Sequence, residues 1–175
     1  MTPIRTSRLL LRAFTMDDLE AVLEFSSNKI VQRYTGDQLI ETREAVENVI
    51  RNVWFEDYKT YGYGRMAAVY LPENRVIGFA GLKYLPEFRE TDLGFRFLPE
   101  YWGMGLATEA STALLEYGFN ELKLSGIIGV AMPENIGSWK VLEKVGMTYY
   151  KTDEYDGDGG SYRWYKIERA AWQGA

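Results

Sequence analysis

The sequence predicts a mixed α/β (α+β) fold: a largely antiparallel sheet with one central parallel strand pair, flanked by about four helices. Three observations lead there. Two strand-like runs, Arg65–Leu71 and Val76–Leu85, are joined by the turn Pro72-Glu73-Asn74-Arg75 and read as a hairpin. A single strand–turn–helix–strand passage between Thr91 and Met132 supplies one crossover. No βαβ unit repeats around it.

The elements follow in order. Arg8–Arg12 (RLLLR) reads as a short buried strand. Thr15 opens a helix as N-cap, with Asp18 three residues on as a capping-box variant, and Leu19, Val22 and Leu23 form its apolar stripe. A second helix spans about Thr42–Tyr58, because Val46, Val49, Ile50, Val53 and Trp54 recur at helical spacing. After the hairpin, Thr91–Leu98 alternates, with Leu93, Phe95 and Phe97 on one side. A glycine-bearing turn, 99–105, then leads into a helix from Ala107 to Glu121, with Ala110, Ala113, Leu114 and Tyr117 on its inner face. Ser125–Met132 is apolar without polar alternation, as a buried parallel strand should be. A short helix, Gly137–Val145, stops at Gly146. Thr148–Thr152 and Tyr162–Glu168 close the chain as an antiparallel pair around a polar tip, 156–160.

Composition narrows the chemistry. With 175 residues and no internal repeat or linker, one domain spanning 1–175 is expected. There is no Cys and no His, which excludes disulfides, thiol nucleophiles, Cys or His metal sites and imidazole triads. Twenty Lys and Arg against 25 Asp and Glu give a net charge of -5 without a basic block, so nucleic acid is not an expected partner. No signal-peptide pattern or membrane-length apolar run is present, which makes a cytoplasmic protein without membrane partners the expectation.

Gly103-Met104-Gly105-Leu106-Ala107 lies between a strand and a helix, where free backbone N–H groups and the helix dipole favour a pyrophosphate. A plain tight turn is the competing reading. A nucleoside-triphosphate P-loop is excluded by motif, and a dinucleotide fingerprint fails because Thr108 stands where its third glycine belongs. Asp153, Glu154, Asp156 and Asp158 cluster, but their spacing does not fit a calcium loop, and no metal is expected. Tyr58, Tyr61 and Tyr63 with Trp54 suggest an aromatic wall, Trp54 itself being better explained by core packing.

Four segments resemble the GNAT superfamily of acetyl-CoA-dependent N-acetyltransferases, in particular its ribosomal-protein alanine (Rim-type) branch. Thr6–Arg12 is similar to T-x-R-L-x-L-R, and Asp92-Leu-Gly-Phe95 to the branch's fourth strand. Tyr101–Ala110 resembles Y-W-G-K-G-Y-A-T-E-A, while Asn135–Ser138 with Glu143–Met147 resembles N-x-x-S followed by E-K-x-G-F. Trp102 stands where the wider superfamily has Gln or Arg, Met104 where Lys is frequent and Met147 where Phe is. The resemblance implies a sheet splayed to hold CoA, and direct attack of an amine on the thioester of acetyl-CoA.

It also implies roles for residues. The pantetheine arm would lie between the two parallel strands, beside the backbone of Phe97, with Asn135 bonding it farther on. The pyrophosphate would rest on the N–H groups of Trp102, Gly103, Met104, Gly105, Leu106 and Ala107, with the hydroxyl of Thr108. Many relatives carry a Tyr acid where this chain has Leu142, which leaves Ser138 to donate toward the sulfur. Two carboxylates compete for the role of base, Glu154, which is preferred, and Asp92. Glu109 is read as structural, a first-turn carboxylate suited to the helix dipole. The acceptor implied is a protein N-terminal α-amine. The alternatives are a small cationic amine, such as a polyamine or aminoglycoside, and a non-catalytic acyl-CoA-binding module. A monomer or homodimer is expected.

Overall fold

The computed structural model describes residues 1–36, 38–155 and 159–172. Its centre is an eight-stranded sheet in the order β1-β2-β3-β4-β5-β6-β8-β7. The strands are β1 (Ile4–Arg5), β2 (Leu9–Arg12), β3 (Arg65–Tyr70), β4 (Arg75–Leu85), β5 (Glu90–Phe97), β6 (Gly126–Ala131), β7 (Thr148–Asp153) and β8 (Tyr162–Glu168). Every neighbouring pair is antiparallel except β5–β6. The expected mixed sheet with one parallel pair is therefore the observed one. The two-residue strand β1 goes beyond the sequence reading; it is too short to leave a periodic pattern.

The first helical segment starts as the sequence indicates. The Asp18 carboxylate accepts the Thr15 N–H at 2.8 Å, and α1 (Leu19–Ser27) follows. Asp18 also takes two hydrogen bonds from Arg12, at 2.7 and 2.8 Å. Burial alone would raise its pKa, but the bonds from Arg12 and Thr15 outweigh burial and hold the carboxyl below its usual range. A one-turn α2 (Lys29–Gln32) is capped by Asn28, whose side chain accepts from Ile30 and Val31.

The second predicted helix runs farther than expected. Thr42 caps α3 (Arg43–Val49), a π-helical turn (Ile50–Trp54) follows, and α4 (Phe55–Tyr61) ends at Gly62, whose φ of 79° makes a left-handed cap. Val46, Ile50 and Trp54 are buried as predicted, whereas Val53 is exposed; the wider turn rotates it off the inner stripe. Trp54 stacks on Phe14 with centroids 4.0 Å apart. Tyr58 and Tyr63 are tied down too, by hydroxyl bonds to the Arg65 carbonyl and to Thr91, so they are supports of the fold rather than an open aromatic wall.

Alternation assigns each sheet face. Phe79 of β4 meets Phe25 of α1 and Trp54, so α1 and the α3–α4 helix cover the face that also carries Gly81, Asp92, Gly94 and Arg96. The opposite face is covered by α5 (Leu106–Asn120) and α6 (Ile136–Lys144). There Gly118 of α5 packs on Leu82 and Ile127, and Leu142 of α6 packs on Gly129. The buried face of α5 is Leu106, Ala110, Ser111, Leu114, Leu115, Gly118 and Phe119. Ala113 and Tyr117, expected there, are only half-buried. Helix α6 ends at Gly146, φ 88°, as predicted, and Met147 is buried behind it. Strands β7 and β8 pair as expected; residues 156–158 of the predicted polar tip, including Asp156 and Asp158, lie outside the described residues.

Candidate active site

Strands β5 and β6 share one registered pair, Asp92 with Ile128, and then run on to Phe97 and Ala131 without pairing. The result is a wedge that opens toward the C-terminal ends of both strands. The Leu98 N–H donates to Ile77 of β4 at 2.9 Å. Alternation then turns the backbone groups of Phe97 and Phe95 the other way, into the wedge. The Phe97 carbonyl is already taken, by the Trp102 indole N–H at 2.7 Å. What Phe97 offers a ligand is thus its N–H.

The turn after β5 closes the wide end. Gly103 and Gly105 have φ of 75° and 78°, a left-handed geometry that side-chain-bearing residues reach only with strain. The first backbone bond of α5 runs from Glu109 N–H to the Gly105 carbonyl, so the N–H groups of Leu106, Ala107 and Thr108 have no acceptor within the helix. Among the described residues, those of Gly103, Met104 and Gly105 have none either, whereas the Trp102 N–H, expected in the row, is spent on the Pro99 carbonyl at 3.0 Å, where it closes the preceding turn. Trp102 and Met104 are exposed, whereas the Leu106 side chain is buried and leaves only its amide to the surface. A row of amide donors at the positive end of a 15-residue helix results.

Helix α6 forms one wall. The Asn135 carboxamide oxygen accepts the Ser138 N–H at 3.3 Å, capping the helix and leaving the amide NH2 for another partner. Ser138 is half-buried, and its hydroxyl has no hydrogen-bond partner among the described residues. Leu142 is 2% exposed, and its methyls lie 2.8–2.9 Å from where a Cβ on Gly129 would sit. Its apolar side chain holds the position where a tyrosine acid is expected from the resemblance.

The two candidate bases sit in different settings. Asp92 is buried at the apex of the wedge, and its carboxylate pairs with the Arg65 guanidinium at 2.5 Å. Arg65 also donates to the carbonyls of Gly81 and Asp92, at 2.7 and 3.2 Å, and lies flat on Gly94, where a Cβ would meet it at 2.5 Å. The pair is neutralised and walled in by its own partners. Arg65 escaped the sequence reading; its signal is an arginine on a strand flanked by strands with glycines on the matching face. Nearby, Asp57 has a buried carboxylate oxygen without a partner, and burial raises its pKa despite Lys83 and Arg65.

Glu154 is exposed and follows β7 directly; its carboxylate accepts the Gly159 N–H at 2.5 Å. The next residue, Tyr155, stacks on Phe88 (5.7 Å) and leans on Trp164 (5.8 Å). Trp164 pairs with Val130, so this stretch folds back over the sheet face that carries Asp92. Facing it, the loop at Gly36 approaches Tyr162 and Met132.

A wedge between parallel strands, with an amide-lined turn at its wide end, is a geometry that comparison with known proteins can place. Residues 8–148 match the family model described as Acetyltransferase (GNAT) domain. The chain belongs to the GNAT acetyltransferase family. It is 35% identical over 145 residues to the uncharacterised N-acetyltransferase YnaD of Bacillus subtilis, covering 82% of this chain and 81% of that one. A GNAT-family acetyltransferase structure from Bacillus anthracis superposes with a TM-score of 0.82 at 30% identity, covering 97% of this chain and 99% of that one. The ribosomal-protein-S5-alanine acetyltransferase of Vibrio fischeri gives a TM-score of 0.80 over 99% and 100% of the two chains. At 16% identity that likeness is one of fold alone and fixes no branch within the GNAT family.

GNAT acetyltransferases use acetyl-CoA, and the residues of this chain fit it. The amide row suits a diphosphate, the wedge edge suits the amides of a pantetheine arm, and no helix among the described residues is long and apolar enough to cross a membrane.

Proposed function

We propose that this GNAT domain, one unit over residues 1–175, acetylates the α-amine at the N-terminus of a peptide or protein by direct attack on acetyl-CoA. Bound in the wedge, acetyl-CoA supplies an acetyl thioester. The N–H groups of Gly103, Met104, Gly105, Leu106 and Ala107, with the Thr108 hydroxyl, hold the diphosphate. The Phe97 N–H and the Asn135 amide hold the arm. Ser138 donates its hydroxyl proton toward the sulfur as negative charge builds there. No enzyme nucleophile takes part, in keeping with a chain that has neither Cys nor His.

The observation that carries the choice of acceptor is the state of the carboxylates. Asp92, at the apex, is committed to Arg65, and Glu154 is exposed. An amine served by so little buried base must shed its proton readily. A peptide α-amine, with a pKa of about 7.7, is about one-sixth neutral at pH 7; a lysine amine, at about 10.4, is neutral in about one molecule in 2,500. Glu154 takes the proton through water, and Asp92 keeps the apex in shape. The similarity of Thr6–Arg12 and Tyr101–Ala110 to the Rim-type branch supports the same acceptor class.

The test is a panel of short peptides, lysine side chains blocked or free, alongside polyamines and an aminoglycoside, each incubated with acetyl-CoA and read by mass. Gain of one acetyl group on peptide N-termini is the expected result. Acetylation confined to polyamines or lysine side chains overturns the choice of acceptor, and CoA binding without transfer to any amine overturns catalysis. Direct attack further requires intersecting initial-rate lines; parallel lines contradict it.

A further inference from the structure

The turn at 103–105 is held from outside by a residue about a hundred positions earlier in the chain. The Glu109 carboxylate, in the first turn of α5, gathers donors from the β1–β2 connection: the Thr6 hydroxyl at 2.6 Å, the Ser7 hydroxyl at 3.0 Å, the Arg8 N–H at 2.8 Å and Arg8 Nε at 2.7 Å. A second guanidinium nitrogen of Arg8 reaches the same carboxylate at 2.7 Å. The third, Nη1, donates to the Met104 carbonyl at 2.8 Å. Burial would raise the pKa of Glu109, yet the bonds from Thr6, Arg8 and Ser7 outweigh it and lower it, so the carboxylate stays charged at neutral pH.

We propose that Arg8 is a positioning residue for the acetyl donor: clamped by Glu109, it holds the Met104 carbonyl and thereby keeps the amides of the turn facing the diphosphate. The inference rests on the reading that this turn binds CoA. The physical reason is the planarity of the peptide group. The Met104 carbonyl and the Gly105 N–H belong to one plane and point in opposite directions. Fixing the carbonyl on Arg8, at the β1–β2 side, turns the Gly105 N–H away from that side. Without the clamp, the peptide that ends at Gly105, a glycine at positive φ, can rotate about its flanking bonds, and its donor is lost from the row. Only a guanidinium can do this, since it meets a carboxylate with two nitrogens and keeps a third for the carbonyl. Its charge is spent on Glu109, so its contribution is orientation rather than attraction. The arrangement also accounts for two separated segments, Thr6–Arg8 and Met104–Glu109, as halves of a single device.

The test compares binding of CoA with binding of pantetheine, which lacks the diphosphate, to the parent chain, Arg8→Ala and Arg8→Lys, each checked for a cooperative thermal transition. Arg8→Ala is expected to weaken CoA about tenfold and to leave pantetheine within about twofold. Arg8→Lys keeps the charge but cannot bridge both partners, and is expected to show the same selective loss; it carries the test if Arg8→Ala does not fold. Equal losses for both ligands, or no loss for either, overturn the proposal. If the parent itself does not bind CoA, the underlying reading of the turn fails, a result distinct from a parent that binds and variants that bind as well.

Discussion

The donor end of the wedge is made of backbone, and the acceptor end of side chains. At the donor end two glycines at positive φ, a helix start and an unpaired strand edge present main-chain groups, and the side chains that matter, Arg8, Glu109 and Trp102, act by holding that backbone. At the acceptor end, Asp92 and Arg65 neutralise each other, Phe88, Tyr155 and Trp164 pack together, and Glu154 stands in solvent. Backbone recognition tolerates few solutions, since it depends on dihedral angles that only certain residues reach. Side-chain surfaces can be rebuilt on the same strands, so the acceptor end is where members of one fold can diverge.

This contrast can be broken or sharpened by substitution. The largest effect is expected at the apex. Asp92→Ala leaves the Arg65 guanidinium buried without its partner and should cost about 3 kcal/mol, read by urea unfolding. A loss below about 1 kcal/mol would show that the pair is not structural, and Asp92 would return as a candidate base.

At the donor end, Gly105→Val forces a β-branched residue to φ 78° and should weaken CoA about 100-fold in a calorimetric titration. Among the described residues beyond its chain neighbours, the new Cβ meets only Arg8, at 3.7 Å, so folding should be spared the larger clash penalties. Loss of CoA binding with a retained thermal transition would support the division drawn above.

Glu154→Gln should lower turnover about tenfold at pH 7 and much less near pH 9, where a peptide α-amine is mostly neutral unaided. Its stability should stay within about 0.5 kcal/mol of the parent, as for an exposed site. A pH-independent loss would assign Glu154 to acceptor binding instead.

The smallest effect concerns acid. Asp18 and Glu109 have lowered pKa values in the folded chain. Their stabilisation is present above the unfolded carboxyl pKa of about 4 and is lost as pH falls through the lower folded values. Thermal unfolding temperature should therefore drop below about pH 4, and the drop should be shallower in Glu109→Gln. A parent whose stability is flat through that range would contradict the two networks.

What the sequence made legible follows the same contrast. The Thr15–Asp18 cap, the hairpin, Gly146 and the glycine turn are local devices, each decided within a few residues, and each stands where the periodicity put it. The role of Arg8 was not legible, because its meaning depends on Glu109, a hundred residues away. The pairing of Arg65 with Asp92 escaped for the same reason: Arg65 looks like an ordinary strand residue, and Asp92 like a free carboxylate, until β3, β4 and β5 align. Val53 illustrates a different failure, a regular helical pattern displaced by a π turn that periodicity does not announce. The inner face of α5 was misjudged at Ala113 and Tyr117 because the helix also packs against α6 and the β1–β2 region, which moves its buried stripe.

The account stands on the claim that amides of the turn before α5 bind the diphosphate of CoA. It is tested most directly by following backbone amide resonances of the 15N-labelled protein during titration with CoA and, separately, with pantetheine. Saturable shifts of Gly103 through Thr108 with CoA, absent with pantetheine, are the result predicted. Shifts confined to other regions, or the same small response of these amides to both ligands, would contradict it.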